Sequence, residues 1–261
     1  HVISDASEID IALADGRKLK AQVIGSDPET DIAVLKIEAK NLPTPITLGK
    51  IESVHVGDVV LAIGNPFGVG QTVTSGIVSA MGRDHVGINT FENFSQTDAG
   101  INPGNSGGAL IDTRGNLIGI NTAIFSNNGG SMGIGFAIPV NLAKQVMESI
   151  LSNGSVTRGW IGVEPQNLSK ELAESLGLAG NTEGVLLSGV LEGGPADRGG
   201  AKPGDVLVAV NSQATKDVKQ LLNQIAQLGP GNTATIKVLR KGKDLELTVK
   251  IGKRPKPKMH G

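Results

Sequence analysis

Ser106 stands in Gly104-Asn105-Ser106-Gly107-Gly108, a hydroxyl framed by glycines. A serine hydroxyl attacks a carbonyl only when a base takes its proton and main-chain N–H groups receive the charge that develops on the carbonyl oxygen. Glycines on both sides permit the sharp turn that aims amides inward and leaves room for a substrate. The chemistry open to this stretch is acyl transfer. It needs a histidine as base and, in the commonest arrangement, an acid that orients the histidine.

Two arrangements place a serine this way, and chain order separates them. The nucleophile elbow of the α/β-hydrolases needs a strand before the serine, a helix after it, and then an acid and a histidine downstream. Here an apolar strand and a turn follow Ser106, and the only later histidine, His260, lies in the basic, proline-broken end. The chymotrypsin order is histidine, aspartate, serine. Three histidines precede Ser106. His55, in Val54-His55-Val56-Gly57, reads as a surface residue, whereas His1 and His85 both stay open as the base, with order and spacing favouring His1. Asp31 heads the apolar run Ile32-Ala33-Val34-Leu35, where a carboxylate is shielded enough to hold an imidazole; the plain alternative is an acid that caps a turn.

The elements that must position these groups read as β structure. Aromatics are nearly absent, with one Trp, five Phe and no Tyr, so Val, Ile, Leu and Ala must build the cores, and 37 of 261 residues are Gly. Short apolar or alternating runs at Lys18–Ile24, Asp31–Ile37, Val59–Ile63, Val73–Ala80, Ala109–Ile111, Leu117–Ile124 and Gly133–Ile138, with turn signals between them, predict a barrel or sandwich. Helical spacing of Ala143, Val146, Met147, Ile150 and Leu151 then predicts one helix, with Asn141 as N-cap and Gly154 beyond its end. A first domain over residues 1–153 is expected, and a second over 157–252 with five or six strands and helices at Lys170–Leu176 and Asp217–Gln227. Residues 253–261 form a basic Pro-containing tail.

Composition narrows the function classes. A net charge of −1 gives no field for nucleic acid, and few aromatics are present to stack on bases. With no cysteine and four scattered histidines, neither a metal site nor a cofactor is expected. No apolar run approaches the ~20 residues of a membrane span.

Thr30-Asp31-Ile32-Ala33-Val34-Leu35-Lys36, Ala62-Ile63-Gly64-Asn65-Pro66-Phe67-Gly68, Gln96-Thr97-Asp98-Ala99, Asn102 to Leu110 and Gly133-Ile134-Gly135-Phe136-Ala137-Ile138-Pro139 resemble the motifs of the HtrA family of serine proteases, in family order. The resemblance implies a mainly β protein: a chymotrypsin-like double β-barrel protease domain followed by an α+β PDZ domain. The strands that precede the histidine in the family have no counterpart in the sequence, so the first barrel is expected to be incomplete at its N-terminal side. The resemblance, with Val2 after His1, assigns His1 as general base, Asp31 as its orienting acid and Ser106 as nucleophile. It implies an oxyanion hole from the N–H groups of Gly104, Asn105 and Ser106. A substrate pocket walled by Ile101, Ala123, Ile124 and Phe136 would favour cleavage after small aliphatic residues, with Asp98 structural. Arg83 matches an arginine that reports PDZ occupancy; by itself it reads as a solvated loop residue.

In the second domain, Gly159, Trp160, Ile161, Gly162 and Val163 resemble the loop in which PDZ amides grip a peptide C-terminus while the peptide adds a strand. The family further implies a periplasmic homotrimer, held at the inner membrane where an upstream anchor exists. Its partners would be unfolded or membrane-protein-derived polypeptides with free C-termini. A single PDZ domain followed by a Pro/Lys tail resembles DegS-type stress sensors, whose substrate is an anti-sigma factor. A DegQ-type quality-control protease and a catalytically inactive PDZ scaffold are the alternatives.

Overall fold

The structure, a computed structural model, describes residues 1–126 and 129–255; the tail from 256 onward lies outside the described residues. The chain divides into two compact units, His1–Val156 and Thr157–Gly261.

The first unit opens with a three-stranded antiparallel sheet of β1 (Asp10–Ala12), β2 (Lys18–Asp27) and β3 (Ile32–Ile37). Asp15-Gly16 makes the first turn, with Gly16 at φ +86°. Six further strands close into a barrel: β4 (Val59–Gly64), β5 (Thr72–Arg83), β6 (Phe94–Thr97), β7 (Ala109–Asp112), β8 (Leu117–Ile124) and β9 (Gly135–Pro139), in the order β4-β5-β6-β9-β8-β7. Closure leaves no strand edge open, and alternate residues fill the interior. Val60, Ala62, Val78, Ile101, Leu110 and Ile118 form that core, and Phe94, Phe136 and Ile138 a second cluster beside it. Small side chains suit the narrow lumen of six strands, which explains a core almost without aromatics.

Helix α1 (Val140–Asn153) follows β9 directly and buries Val146 and Ile150. It starts one residue before the expected cap: Pro139 is still the last residue of β9 and occupies the cap position, and Asn141 lies inside the first turn. Gly154 ends the helix at φ +71°, donating its N–H to the Ile150 carbonyl.

The second unit has its own core of Ile161, Leu187, Leu207, Leu221, Ile236 and Val249 among others. Its sheet runs β11 (Val163–Asn167), β12 (Val185–Val190), β13 (Val206–Val210), β15 (Thr233–Arg240), β16 (Lys243–Lys250), with the short β14 (Gln213–Ala214) paired to β13. The short strands β10 (Gly159–Trp160) and β17 (Gly252–Lys253) pair with each other. The helices are α2 (Lys170–Ser175), α3 (Pro195–Arg198) and α4 (Val218–Gln227). Asp217 caps α4 by accepting from the Gln220 N–H at 2.9 Å, so the residue read as the helix start is its N-cap.

Candidate functional site

The turn between β2 and β3 builds the acid. Thr30 folds back on Asp27 through its N–H to the Asp27 carbonyl and its hydroxyl to Asp27 Oδ2. The next residue, Asp31, sits at φ +61°, a left-handed conformation that Asp tolerates better than most side chains. That twist aims its carboxylate at His1. Oδ2 lies 2.6 Å from His1 Nδ1, and Oδ1 accepts from the His1 main-chain nitrogen at 2.5 Å. A carboxylate can only accept, so Nδ1 carries the hydrogen, and in the neutral ring Nε2 then holds the lone pair a base requires. Only 11% of the Asp31 side chain is exposed, against 54% for His1.

Thr122 joins Asp31 to Ser106. Its hydroxyl donates to Asp31 Oδ2 at 2.8 Å, and its carbonyl accepts from Ser106 Oγ at 3.0 Å. The serine hydroxyl is thus held by Thr122 and not by the imidazole. Sequence reading passed over Thr122; the signal was a polar pair, Asn121-Thr122, inside the otherwise apolar strand β8. Asn121, fully buried, ties the barrel together there by donating to the carbonyls of Ile63 and Ala109, each at 3.2 Å.

The glycines around Ser106 are sterically required. A Cβ on Gly104, at φ +100°, would lie 2.4 Å from the Asn65 carbonyl oxygen, and one on Gly108 would lie 2.1 Å from that of Ile63. The loop is a series of turns: Asn105 N–H donates to Asn102, Gly108 N–H to Asn105 and Gly107 N–H to Asn121. The Asn105 amide is therefore engaged within the loop, in contrast to its expected place in an oxyanion hole. The N–H groups of Gly104 and Ser106 make no such bond among the described residues.

His1, Asp31, Ser106 and Thr122 line one cavity of about 560 Å³, whose remaining wall is mostly apolar, with Leu35, Ile120, Ile138 and Met147, and also carries Asn121 and Lys144. The four residues expected to wall a substrate pocket are absent from this lining. Ile101 fills the barrel core opposite Gly135, with Ile124 packed against that cluster. Phe136 packs against Phe94 with ring centroids 5.8 Å apart and the rings tilted by 45°, and Ala123 pairs with Phe136 across the strands. Asp98 is structural, accepting from the Ile77 N–H at 2.7 Å. His85 bonds to neighbouring Asp84 and does not line the cavity. Arg83, exposed at the end of β5, donates to Gln96 Oε1 at 3.0 Å.

In the second unit, Gly159 to Val163 form one wall of a small cleft faced by Leu221, Leu222 and Ile225 of α4, with Arg254 alongside. The carbonyls of Ile161 and Gly162 are turned away to accept from Ala196 and Leu191. Gly162 adopts φ +75°, and Ile161 is mostly core. Strand β11 ends its sheet, so one edge is left for an added strand.

A closed barrel carrying a glycine-framed serine, followed by a sheet with one free edge beside a helix, is the architecture of a trypsin-like peptidase joined to a PDZ module. Residues 1–120 match the family model of the trypsin-like peptidase domain, and residues 159–251 that of the PDZ domain. The solved structure of the HtrA-type protease AlgW with a decapeptide is 58% identical, with a TM-score of 0.92, over 98% of this chain and 78% of that one. The serine endoprotease from Yersinia pestis is 43% identical with a TM-score of 0.77, over 98% of this chain and 83% of that one. The protein from Brucella suis named "Probable periplasmic serine endoprotease DegP-like" is 49% identical over 259 residues, 99% of this chain. The chain belongs to the HtrA-type serine proteases. It spans about half the length of the curated relatives it matches.

Proposed function

We propose that the protein is a periplasmic serine endopeptidase whose PDZ domain binds peptide C-termini and regulates cleavage. The observation that carries the catalytic reading is the Asp31 carboxylate, held between His1 Nδ1 and the Thr122 hydroxyl beside Ser106. In the reaction the Ser106 hydroxyl leaves the Thr122 carbonyl and turns to His1 Nε2. It attacks the scissile carbonyl as the imidazole takes its proton, and the acyl-enzyme forms as the protonated imidazole gives that proton to the leaving amine. Water then repeats the sequence to release the acid product. The amides of Gly104 and Ser106, which make no main-chain hydrogen bond among the described residues, would receive the oxyanion, and the largely shielded Asp31 would stabilise the imidazolium. Cleavage after small aliphatic side chains rests on the HtrA resemblance alone, since the residues expected to wall that pocket do not line the cavity.

Periplasmic location follows the names of the relatives, and peptide regulation follows AlgW, whose structures carry a decapeptide or a tripeptide. A DegS-like role, cleavage of an anti-sigma factor by a homotrimer with Arg83 relaying PDZ occupancy, is the specific form proposed. The DegP-like names of longer relatives support a second form, a quality-control protease. Peptide cleavage assayed with and without a peptide ending in an apolar free carboxylate tests both. Ser106→Ala is expected to lower kcat by at least about 10⁴-fold. Activity that survives this change overturns the mechanism; activity indifferent to the peptide overturns the sensor form.

A further inference from the structure

Glu92 is a carboxylate buried to 3% exposure in the loop between β5 and β6, and none of the chemistry above uses it. It accepts from three main-chain N–H groups of its own loop: Val86 at 3.0 Å, Ile88 at 2.5 Å and Asn89 at 3.0 Å. A loop with no strand ladder to satisfy its amides is thereby wound around one side chain.

The wound loop presses on the turn that carries Asp31. The N–H of Phe91, the residue before Glu92, donates to the Glu29 carbonyl at 3.0 Å, and Glu29 precedes Asp31 by two residues. On the other flank, Ile32 and Val86 pack against the same apolar cluster of Phe94, Phe136 and Ile138. The left-handed Asp31 is thus flanked on one side by a residue bonded directly to this distant segment and on the other by one that shares an apolar cluster with it.

We infer that Glu92 is a positioning residue for the catalytic acid: it folds the β5–β6 loop into the brace that holds the Asp27–Asp31 turn, and hence the Asp31 carboxylate, against His1. This rests on the reading of His1, Asp31 and Ser106 as the catalytic set. Because the same loop starts at Arg83, a change in the loop reaches the acid directly as well as any path to the serine. A non-Gly residue at positive φ persists only where its surroundings hold it, and a misplacement of about 1 Å in a catalytic group can cost about 100-fold.

The test is steady-state kinetics of the full-length protein on a peptide substrate, with activating C-terminal peptide at saturation. Glu92→Gln keeps the shape but sets an NH₂ donor against donors. It is expected to lower kcat about 10- to 100-fold with KM within about twofold, and to move the acid limb of the kcat/KM profile to lower pH, since a displaced Asp31 stabilises the imidazolium less. Val86→Ala, a smaller change outside the catalytic set, is expected to lower kcat several-fold in the same pattern and serves if Glu92→Gln does not fold. A purely architectural role would lower the melting temperature while leaving kcat per titratable serine and the pH profile unchanged, and that result in Val86→Ala and any folded Glu92→Gln overturns the inference. Ser106→Ala, run alongside, separates the two levels. If it is inactive while the loop variants behave as wild type, the brace alone is wrong; if it is active, the catalytic set itself is wrong and the brace falls with it.

Discussion

Thr122 gives one residue two contacts with the proposed catalytic set: its hydroxyl donates to one oxygen of Asp31, and its carbonyl accepts from Ser106 Oγ. The two are separable by mutation, since Thr122→Val keeps the β-branched shape and the carbonyl but removes the donor. A hydrogen bond to a charged group contributes about 1.5–3 kcal/mol. If part of that acts on the imidazolium formed in the reaction, kcat should fall about 10-fold with KM nearly unchanged, measured by steady-state peptide hydrolysis. An unchanged kcat would place the hydroxyl outside catalysis. At this scale the sequence was legible wherever chemistry restricts residue type. The glycines of the serine loop showed because a Cβ there strikes the main chain of Ile63 or Asn65. Thr122 and Glu92 did not show, because their roles lie in partners far along the chain, and a lone threonine or glutamate carries no spacing to read. Ile101 and Phe136 read as pocket walls because an apolar residue beside a site looks the same from sequence whether it faces substrate or core.

Among the elements, the β7–β8 hairpin makes a second use of a carboxylate as a turn organiser. Asp112 accepts from the main-chain N–H groups of Arg114 and Asn116, each at 2.9 Å, and from both of their side chains. Partial burial works to raise its pKa, but these hydrogen bonds, those from Asn116 first, bring it down to about 2. A depressed carboxylate stabilises the fold above its unfolded pKa of 3.8 and loses that contribution as pH falls from there toward about 2. Asp112→Asn should therefore be destabilised relative to wild type at neutral pH, with the gap closing between about pH 4 and pH 2, as followed by urea unfolding at a series of pH values. A gap that stays constant with pH would mean that shape, not charge, organises the turn. Period-2 and period-3.6 patterns showed most of the elements around this hairpin. Strand β6 was not among the runs read as strands because its four residues, Phe94-Ser95-Gln96-Thr97, are too short to show alternation, and only the barrel gives them partners on both sides. The start of α1 was misplaced by two residues because Pro139 ends β9 and opens the helix without a gap.

Across the whole molecule, each unit has its own core, so stability is expected to be held separately in the two. The second unit carries an ion pair between a buried carboxylate and a partly exposed arginine that allows a test. Asp205, 1% exposed, receives Arg240 Nε and Nη2 at 2.7 Å each, and the same guanidinium donates to the Gly200 carbonyl. Hydrogen bonding to Asp205 raises the Arg240 pKa against the opposing effect of burial, so the arginine stays charged. Removing one member of a buried pair leaves the other uncompensated and costs about 3–5 kcal/mol, whereas replacing both by groups of similar shape is often close to neutral. Arg240→Ala should lower only the melting transition of the second unit and weaken binding of C-terminal peptides near that transition. The double change Asp205→Asn with Arg240→Met should recover most of the loss. Calorimetry decides the matter. A first-unit transition, and a peptide-hydrolysis rate without activating peptide, that stay fixed while the second transition drops would establish that catalysis and peptide recognition rest on separate folding units. Movement of both transitions together would show that the two units unfold as one.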